Sequence, residues 1–303
     1  MKLKIGTRAS VLARTQTELV TKLISVIFPH VEVEHVLIKS EGDNSTAPLS
    51  EIGGRGVFTA YLSTALLEEK IDVAVHSLKD IPTAESEGLT LGAILQREDP
   101  RDVLIAKQDL NSLPESTVIG TGSLRRRAQL MALSPQLKFQ EIRGNVHTRI
   151  KKVLSGTCEA TLLAQAGLNR LEHLSAEPPS ITMDDKVFVY PFSIETMTPA
   201  VAQGAIAIEC RSDDKRVLEI VNTLDHRPSR NAVEVERAML RRLGGGCQVP
   251  FAAHADTKGL LHLVIADENG YCQRLKGPMN EAKRLMDKLL VDGQRIVDKY
   301  LSL

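Results

Sequence analysis

The 303-residue sequence lacks several features that would assign it to common classes of protein. Its four cysteines, Cys158, Cys210, Cys247 and Cys272, lie far apart and form no CxxC pair, which argues against a zinc site and against disulfides. Lysine plus arginine number 38, as do aspartate plus glutamate, so no overall field attracts nucleic acid or a membrane. Any anionic partner must therefore be bound by local charges.

Long hydrophobic runs are also missing from the start of the chain. Met1-Lys2-Leu3-Lys4-Ile5-Gly6 leads into polar residues, so we expect neither a signal peptide nor a transmembrane helix, and we expect a cytoplasmic protein. The composition, 43% hydrophobic and 25% charged, is that of a globular protein with a buried core. A chain of this length has room for two or three domains.

Hydrophobic periodicity predicts a mixed α/β fold. Short apolar runs alternate with helical patterns in the first third of the chain and again in the middle, which indicates two α/β domains. The proline-rich stretch 177–195 is predicted to be irregular, and the apolar run 205–209 is predicted to be a buried strand that returns to the first domain.

The last third is predicted to be a smaller α+β domain. It shows helical patterns, one strand, and a single long closing helix at 281–301. We therefore expect three domains: residues 1–95 with 199–216, residues 96–198, and residues 217–303.

One segment combines a cysteine with features that packing alone does not explain. Cys247 follows three consecutive glycines, 244–246, and precedes Gln248-Val249-Pro250. Glycines forgo side-chain burial and cost backbone entropy, so a run of them indicates a sharp bend or space for a bulky neighbour. Because cysteine is also a common buried residue, two interpretations stay open: inert core filling or a functional thiol.

A second polar segment follows an apolar strand pattern. Residues 73–75 lead directly into His76-Ser77-Leu78-Lys79-Asp80-Ile81-Pro82. Ligands of open α/β sheets gather at the carboxyl ends of strands, so Asp80 is a candidate general acid or base, and Lys79 would help to keep it ionised. A solvated turn is the alternative. We interpret His76 as structural.

Two further segments, 120–127 and 143–149, are predicted anion sites at strand-to-helix junctions. Backbone N–H groups and the helix dipole favour anions at such junctions, and arginines bind carboxylate or phosphate with two parallel hydrogen bonds. The arginines of both segments, Arg125, Arg126, Arg143 and Arg149, are expected near the ends of two strands of one domain. Asn145 is a predicted N-cap. A solvated basic face is the alternative.

Arg8-Ala9-Ser10 also lies between a predicted strand and a predicted helix, like the two anion sites above. Gln16 lies two turns into that helix. Arg8 is open to a structural interpretation as well as a binding one. Residues 40–55 are rich in Gly, Ser and Asp, a composition that suits either a mobile lid or a passive loop.

Together these segments resemble the porphobilinogen deaminase family, also called the hydroxymethylbilane synthases. The resemblance runs in order along nearly the whole chain, and the ordered combination is far more specific than any single piece. It is carried by Arg8-Ala9-Ser10, Gly53-Gly54-Arg55-Gly56, residues 76–82, residues 97–102, residues 120–126, Arg143-Gly144-Asn145, residues 166–171 and residues 245–250.

The resemblance implies a fold and an activity. The fold would be two α/β domains like those of type II periplasmic binding proteins, plus a smaller α+β C-terminal domain. Cys247 would hold a dipyrromethane cofactor by a thioether bond, and the enzyme would add four porphobilinogen units to it head to tail. Ammonia would be released at each addition, and hydrolysis would free 1-hydroxymethylbilane. The resemblance favours a monomer with no nucleic-acid or membrane partner.

The resemblance also implies roles for single residues. Asp80 would be the catalytic carboxylate, which stabilises positive charge on the pyrrole nitrogen as ammonia leaves, and Cys247 would be a tether. Each porphobilinogen carries two carboxylates, which explains clustered arginines in a neutral protein. No metal is expected. Binding of cofactor or substrate is implied for Arg8, Ser10, Gln16, Arg55, Lys79, Thr121, Ser123, Arg125, Arg126, Arg143, Gly144, Asn145, Arg149, Arg170 and Gln203.

Some positions depart from the family pattern. Arg55 stands where many relatives have lysine, Ala60 stands where another lysine is common, and Ala202 replaces a glycine, where its methyl group would crowd or stiffen the chain. None of these changes touches Asp80 or Cys247, so an active enzyme is expected.

Two alternative functions compete with this interpretation. A binding module, such as a solute receptor or a ligand-sensing regulatory domain, would use the same scaffold, although Cys247 would have no role in it. A Schiff-base enzyme built on Lys79 would leave the cysteine and the arginines unexplained.

Overall fold

The computed structural model describes residues 2–38, 57–84, 86–108, 113–171, 180–182, 186–244 and 249–301. The chain divides into two compact units, one of Met1–Glu98 with Gly204–Glu234 and the other of Asp99–Gln203 with Val235–Leu303. The division into three domains stays a prediction.

The first part of the chain alternates strands with helices. Its elements are β1 (Lys2–Thr7), α1 (Val11–Ile27), β2 (Glu32–Leu37), α2 (Val57–Leu67), β3 (Val73–Ser77) and β4 (Leu89–Ile94). β1 pairs in parallel with β2 and with β3. A single-turn 3-10 helix, Leu78–Asp80, follows β3 directly.

The second unit contains a six-stranded sheet. Its elements are β5 (Asp102–Ala106), β6 (Val118–Gly120), α3 (Leu124–Leu133), β7 (Lys138–Gln140), α4 (Val146–Leu154), β8 (Ala160–Ala164), α5 (Gln165–Arg170), β9 (Ser180–Thr182) and β10 (Lys186–Pro191). The strand order is β7-β6-β8-β5-β10-β9. β6 is parallel to β7 and β8, whereas β5 is antiparallel to β8 and β10.

The chain then returns to the first sheet. β11 (Ile206–Arg211) lies between β3 and β4, antiparallel to both, and completes the order β2-β1-β3-β11-β4. The prediction that an apolar strand near 205–209 rejoins the first domain is therefore confirmed. All five residues of β11 from Ile206 to Cys210 are buried, which explains the apolar pattern.

The C-terminal part has a three-stranded antiparallel sheet flanked by helices. Its sheet has the order β12-β13-β14. α6 (Lys215–Val221) precedes this part and packs in the core of the first unit. The elements that follow are α7 (Arg227–Arg242), β12 (Phe251–Ala255), β13 (Leu260–Ala266), β14 (Cys272–Pro278), α8 (Ala282–Asp292) and α9 (Gln294–Leu301). The predicted fold class, two α/β sheets and a smaller α+β part, is confirmed.

The core of the first unit explains where its polar chemistry lies. Val73 and Val75 of β3 pack into one buried cluster, and Ala74 packs into another that includes Leu62 and Leu66 of α2. Because β3 is buried on both faces, polar side chains can reach solvent only where the strand ends. Lys79 and Asp80 stand at that end.

Two predictions about local structure are wrong. Part of the stretch 177–195 is not irregular, since β9 and β10 pair with each other and β10 pairs with β5. Val187 and Val189 alternate into the core there, and the prolines before and after them do not interrupt this alternation. The long helix at 281–301 is in fact two helices, which meet at Gly293.

Ala202 lies in the left-handed region, with φ +59°. Its N–H donates to Glu236 Oε2 at 2.6 Å, and its side chain is fully buried. The expectation that a methyl group at this position strains the chain is consistent with this backbone angle, which L-residues rarely adopt.

Replacing Gly293 by alanine would have two opposite effects on stability, one from packing and one from helix propensity. A Cβ at this position would lie 2.7 Å from Ile265 Cγ2 and 2.9 Å from the Leu289 carbonyl oxygen, so neighbouring atoms would have to shift. Gly293→Ala should therefore lower the free energy of unfolding by about 1–3 kcal/mol, as overpacking does. Helix propensity alone would instead raise the free energy of unfolding by about 1 kcal/mol. Chemical denaturation of the variant and of the starting protein measures the change.

The matched control is Gln294→Ala at the next position, which is exposed. Its stability should stay within about 0.5 kcal/mol of the starting protein. A stabilised Gly293→Ala protein would contradict the packing argument.

Candidate active site

Predicted site residues of the first unit lie at one edge of its sheet. Arg8 follows β1, and the Leu78–Asp80 turn follows β3. The parallel register that pairs Ile5 with Val73 brings both strand ends to the same edge. Carboxyl ends of parallel strands are where ligands of open sheets bind. The structure therefore places Arg8, Lys79 and Asp80 at one candidate site.

The turn that carries Asp80 is anchored by its backbone. Leu78 is fully buried, its N–H donates to the Ala205 carbonyl oxygen at 3.0 Å, and the Ile81 N–H donates back to Leu78 at 3.2 Å. Asp80 itself is half-buried, and its carboxylate forms no hydrogen bond or ion pair with any residue that the structure describes. That carboxylate is available to a ligand.

Two other predicted ligands at this edge bond to the protein instead. Ser10 is the N-cap of α1, where its Oγ accepts a hydrogen bond from the Ala13 N–H at 3.2 Å. Gln16 is only 3% exposed, and its amide is bonded to Ser77 Oγ. Both side chains shape the edge of the sheet.

The second unit presents two helix starts at one edge of its sheet. β6 and β7 are parallel neighbours, and α3 and α4 begin just after them. Ser123 caps α3, and Asn145 caps α4 by accepting the Thr148 N–H at 2.9 Å, so the predicted N-cap is confirmed. Two helix starts at neighbouring strand ends form an edge that favours anions.

The first two arginines of this edge are held by a buried aspartate. Arg125 Nη1 donates to Asp102 Oδ2 at 2.7 Å, and Arg126 Nη2 and Nε donate to Oδ1 at 2.6 and 3.0 Å. Gln203 Nε2 also donates to Oδ1, at 3.1 Å. Asp102 is fully buried and both arginines are 7% exposed, so a solvated basic face is wrong for this pair.

Asp102 stays ionised despite its burial. Burial alone would raise its pKa, but the charges of Arg125 and Arg126, with hydrogen bonds from Arg125 and Gln203, hold the pKa well below its usual range. Each arginine also donates to a carbonyl oxygen, Arg125 Nη1 to that of Thr198 at 2.8 Å and Arg126 Nη1 to that of Leu162 at 2.8 Å. One negative charge therefore faces two buried positive charges.

Arg149 adds further positive charge. Its Nε donates to the Gly144 carbonyl oxygen at 2.8 Å, and no carboxylate of the described residues pairs with it. Burial, followed by the charge of Arg126, lowers the pKa of Arg149 to about 10. The guanidinium is still protonated at neutral pH, so Arg149 keeps its positive charge at this edge.

The chain between β7 and α4 has a shape that only glycine allows. Gly144 has φ +114°, and a Cβ there would lie 2.5 Å from Thr148 Cγ2. Arg143 precedes it and donates to Glu141 Oε1 through Nε at 3.1 Å and Nη2 at 2.7 Å. Arg143 is thus held near the edge by an exposed carboxylate.

The remaining predicted residues fall into three groups. Thr121 is buried, and its hydroxyl accepts the Ser123 N–H at 3.2 Å, so it shapes the start of α3. Arg170 is the last residue of α5, the helix that follows β8. Arg55 and Cys247 lie outside the described residues, and their roles remain predictions.

Asp102 is the residue that the sequence reasoning missed. It was assigned no role in its motif. The local signal is that Asp102 is the one charged residue of β5, a strand in which all five residues are buried. A buried carboxylate must be paired, but the partners Arg125 and Arg126 are distant in the sequence, so the local signal does not identify them.

Neither a metal site nor a membrane span is found among the described residues. No group of three or more His, Cys, Asp or Glu side chains there is arranged to hold a metal ion. No described helix has the length and apolarity that crossing a bilayer requires.

The fold is that of an α/β protein, with the Asp80 carboxylate at a sheet edge of its first unit and several arginines at a sheet edge of its second. Residues 3–219 match the family model "Porphobilinogen deaminase, dipyromethane cofactor binding domain", and residues 231–289 match "Porphobilinogen deaminase, C-terminal domain". The chain belongs to the porphobilinogen deaminase family.

Individual relatives agree with this assignment. The porphobilinogen deaminase of Geobacter sulfurreducens is 41% identical, over 96% of this chain and 92% of its own length. That of Desulforudis audaxviator is 43% identical, over 88% of this chain and 84% of its own. A solved structure, the periplasmic VFT2 domain of Bordetella pertussis BvgS, is 13% identical, covers 74% of this chain and 86% of that domain, and gives a TM-score of 0.41, which is too low to support an argument.

Removing the charge of Asp102 tests its role in holding the arginines. Asp102→Asn leaves two buried guanidiniums without their carboxylate, which should lower the free energy of unfolding by about 3–5 kcal/mol at pH 7. Denaturant unfolding measures this. Because the folded-state pKa is depressed, the stabilisation is present above the unfolded-state pKa of about 3.9 and is lost as the pH falls below it. The difference between the two proteins should therefore shrink below about pH 4.

An exposed ion pair is the control. Lys2 Nζ and Glu34 Oε2 lie 3.0 Å apart with both side chains about half exposed, so Glu34→Gln should have no measurable effect on stability. If Asp102→Asn were equally harmless, the ion-pair cluster would not be what holds this edge.

Proposed function

We propose that the protein condenses four porphobilinogen molecules head to tail into 1-hydroxymethylbilane on a dipyrromethane primer linked by a thioether to Cys247. It would act as a transferase and as a monomer, in the cytoplasm. Family membership supports the reaction. The observation that carries the proposal is the half-buried Arg149 guanidinium, which donates to the Gly144 carbonyl oxygen and pairs with no carboxylate of the described residues, because the substrate and every intermediate chain length are polycarboxylates.

The residues present fit such a primer. Arg143 and Arg149 stand at the start of α4, where the helix dipole adds to their attraction for a carboxylate. Gln165 Oε1, at the start of α5, is buried and makes no hydrogen bond with any described residue, so an acceptor for a pyrrole N–H is present in the same unit. When bound, dipyrromethane supplies a pyrrole carbon to which the first substrate is joined.

Asp80 is the group that acts on the reacting atoms. In each addition the aminomethyl C–N bond of porphobilinogen breaks, a C–C bond forms to the chain end, and one proton leaves that carbon as ammonia departs. The Asp80 carboxylate would stabilise the positive charge that develops on the pyrrole nitrogen and would accept and pass on the released proton. Its lack of partners among the described residues leaves both oxygens available for this role.

The arginine edge would bind carboxylates of the primer and of the growing chain. Arg125 and Arg126 are fixed by Asp102, so their remaining positive field is already oriented when a carboxylate arrives. Arg8 and Lys79 would bind carboxylates beside Asp80. A solute-binding role is not favoured, since the family match covers both the cofactor-binding and the C-terminal parts of the chain.

The covalent primer gives a direct test by intact mass. Protein made in cells with ample porphobilinogen should show a mass excess equal to two linked pyrrole units, and digestion should place that excess on the peptide that contains Cys247. Cys247→Ser should show no excess and no turnover. Cys272→Ser is the matched control, because this partly buried thiol should leave the adduct unchanged. An unmodified and inactive starting protein would overturn the proposal.

The role of Asp80 is tested by truncation. Asp80→Ala should lower kcat by about 10²–10⁴-fold, the usual range for loss of a general acid or base, while circular dichroism and thermal unfolding stay normal. The control is Asp213→Ala, which removes an exposed carboxylate of the same unit and should leave kcat unchanged. Near-normal turnover in Asp80→Ala would assign the chemistry to another group.

A further inference from the structure

Ser77 occupies the N-cap position of the Leu78–Asp80 turn, but its side chain does not cap that turn. Serine is favoured at N-caps because its oxygen accepts a backbone N–H of the helix. Here Ser77 Oγ instead accepts a hydrogen bond from Gln16 Nε2 at 2.9 Å and donates to Gln16 Oε1 at 3.2 Å. The hydroxyl next to the Asp80 turn is therefore committed to α1.

The Gln16 amide is equally committed to Ser77. Gln16 is 3% exposed, and both of its polar atoms bond to the Ser77 hydroxyl. A buried amide that loses its partner retains an unpaired donor and acceptor, which is costly. This pair therefore fixes α1 against the end of β3.

The pair connects two segments that carry predicted ligand-binding or catalytic side chains. Asp80 lies three residues after Ser77, in a single turn whose end is closed by a hydrogen bond from the Ile81 N–H to the Leu78 carbonyl oxygen. Ser10, the N-cap of α1, lies six residues before Gln16, or about 9 Å along the helix at 1.5 Å per residue. The Gln16–Ser77 pair thus sets the position of the Asp80 turn relative to the start of α1.

We propose that Ser77 and Gln16 are positioning residues for Asp80. The proposal rests on the proposed function, in which Asp80 is the catalytic carboxylate. Without the pair, the turn would keep its backbone anchor at Leu78 but would lose its side-chain link to α1. Because a displacement of about 1 Å at a reacting group can cost about 10²-fold in rate, the effect should appear in kcat.

Single variants test the link. Ser77→Ala should lower kcat, expressed per protein carrying the Cys247 adduct, by about 10–100-fold, with KM changed less than about 2-fold. Apoprotein incubated with porphobilinogen should gain the adduct mass more slowly by a similar factor, since the enzyme assembles the primer by the same coupling. Ser77→Thr keeps the hydroxyl and should restore kcat. Unchanged kcat in Ser77→Ala would overturn the proposal.

The double variant Gln16→Met with Ser77→Ala separates positioning from stability. Each single variant leaves a polar group without its partner and should unfold at a lower temperature. Removing both partners leaves no unpaired polar atom, so the unfolding temperature should recover towards that of the starting protein. If the pair positions Asp80, kcat stays low in the double variant. Recovery of kcat together with stability would show a purely structural role and overturn the proposal.

Thr21→Val is the matched control on the same helix. Thr21 Oγ1 lies 2.7 Å from His35 Nε2 and likewise links α1 to a strand, but on β2 rather than β3. The kcat of this variant should match that of the starting protein, and an equal loss there would contradict a specific role for Ser77.

The two proposals fail in different ways. A starting protein with neither adduct nor turnover would overturn the proposed function itself. An active starting protein with an unaffected Ser77→Ala variant would overturn only the positioning role.

Discussion

The buried carboxylate of Asp102, between the guanidiniums of Arg125 and Arg126, joins the parts of the second unit to which we assign carboxylate binding. It connects the first residue of β5 to the first turn of α3, and Gln203 adds a contact from the segment before β11. Two cations can be buried only beside an anion, and the strand supplies it at the point where β5 begins. Burial fixes the arginines in orientation before any ligand is present.

Incomplete neutralisation of these charges would suit a polyanion. Arg149 donates to the Gly144 carbonyl oxygen and pairs with no carboxylate of the described residues, so positive charge is left on this edge. The chain has no net charge, so this field is local. Asp80 belongs to the other unit, and its carboxylate has no partner among the residues that the structure describes.

Local signals in the sequence located the elements that carry the site, and tertiary packing decided the rest. Junctions such as Asn145 before α4 were predictable because capping depends on a few neighbouring residues. The strand β10 was missed because its pairing with β5 comes from distant sequence. The break at Gly293 was missed because the close approach of Ile265 is invisible to helix periodicity. Asp102 was missed for the same reason, since its arginine partners are more than twenty residues away.

The polar residues of the candidate site divide by what their hydrogen-bonding groups contact. Ser10, Ser123 and Asn145 cap helices, and Gln16 bonds to Ser77, so these side chains shape the two edges. The Asp80 carboxylate has no such partner among the described residues, and Arg149 donates only to a carbonyl oxygen. A family motif therefore records geometry as well as ligand contact. In the roles proposed above, Ser77 would act on the substrate solely by holding Asp80 in place, whereas Asp80 would contact the substrate itself.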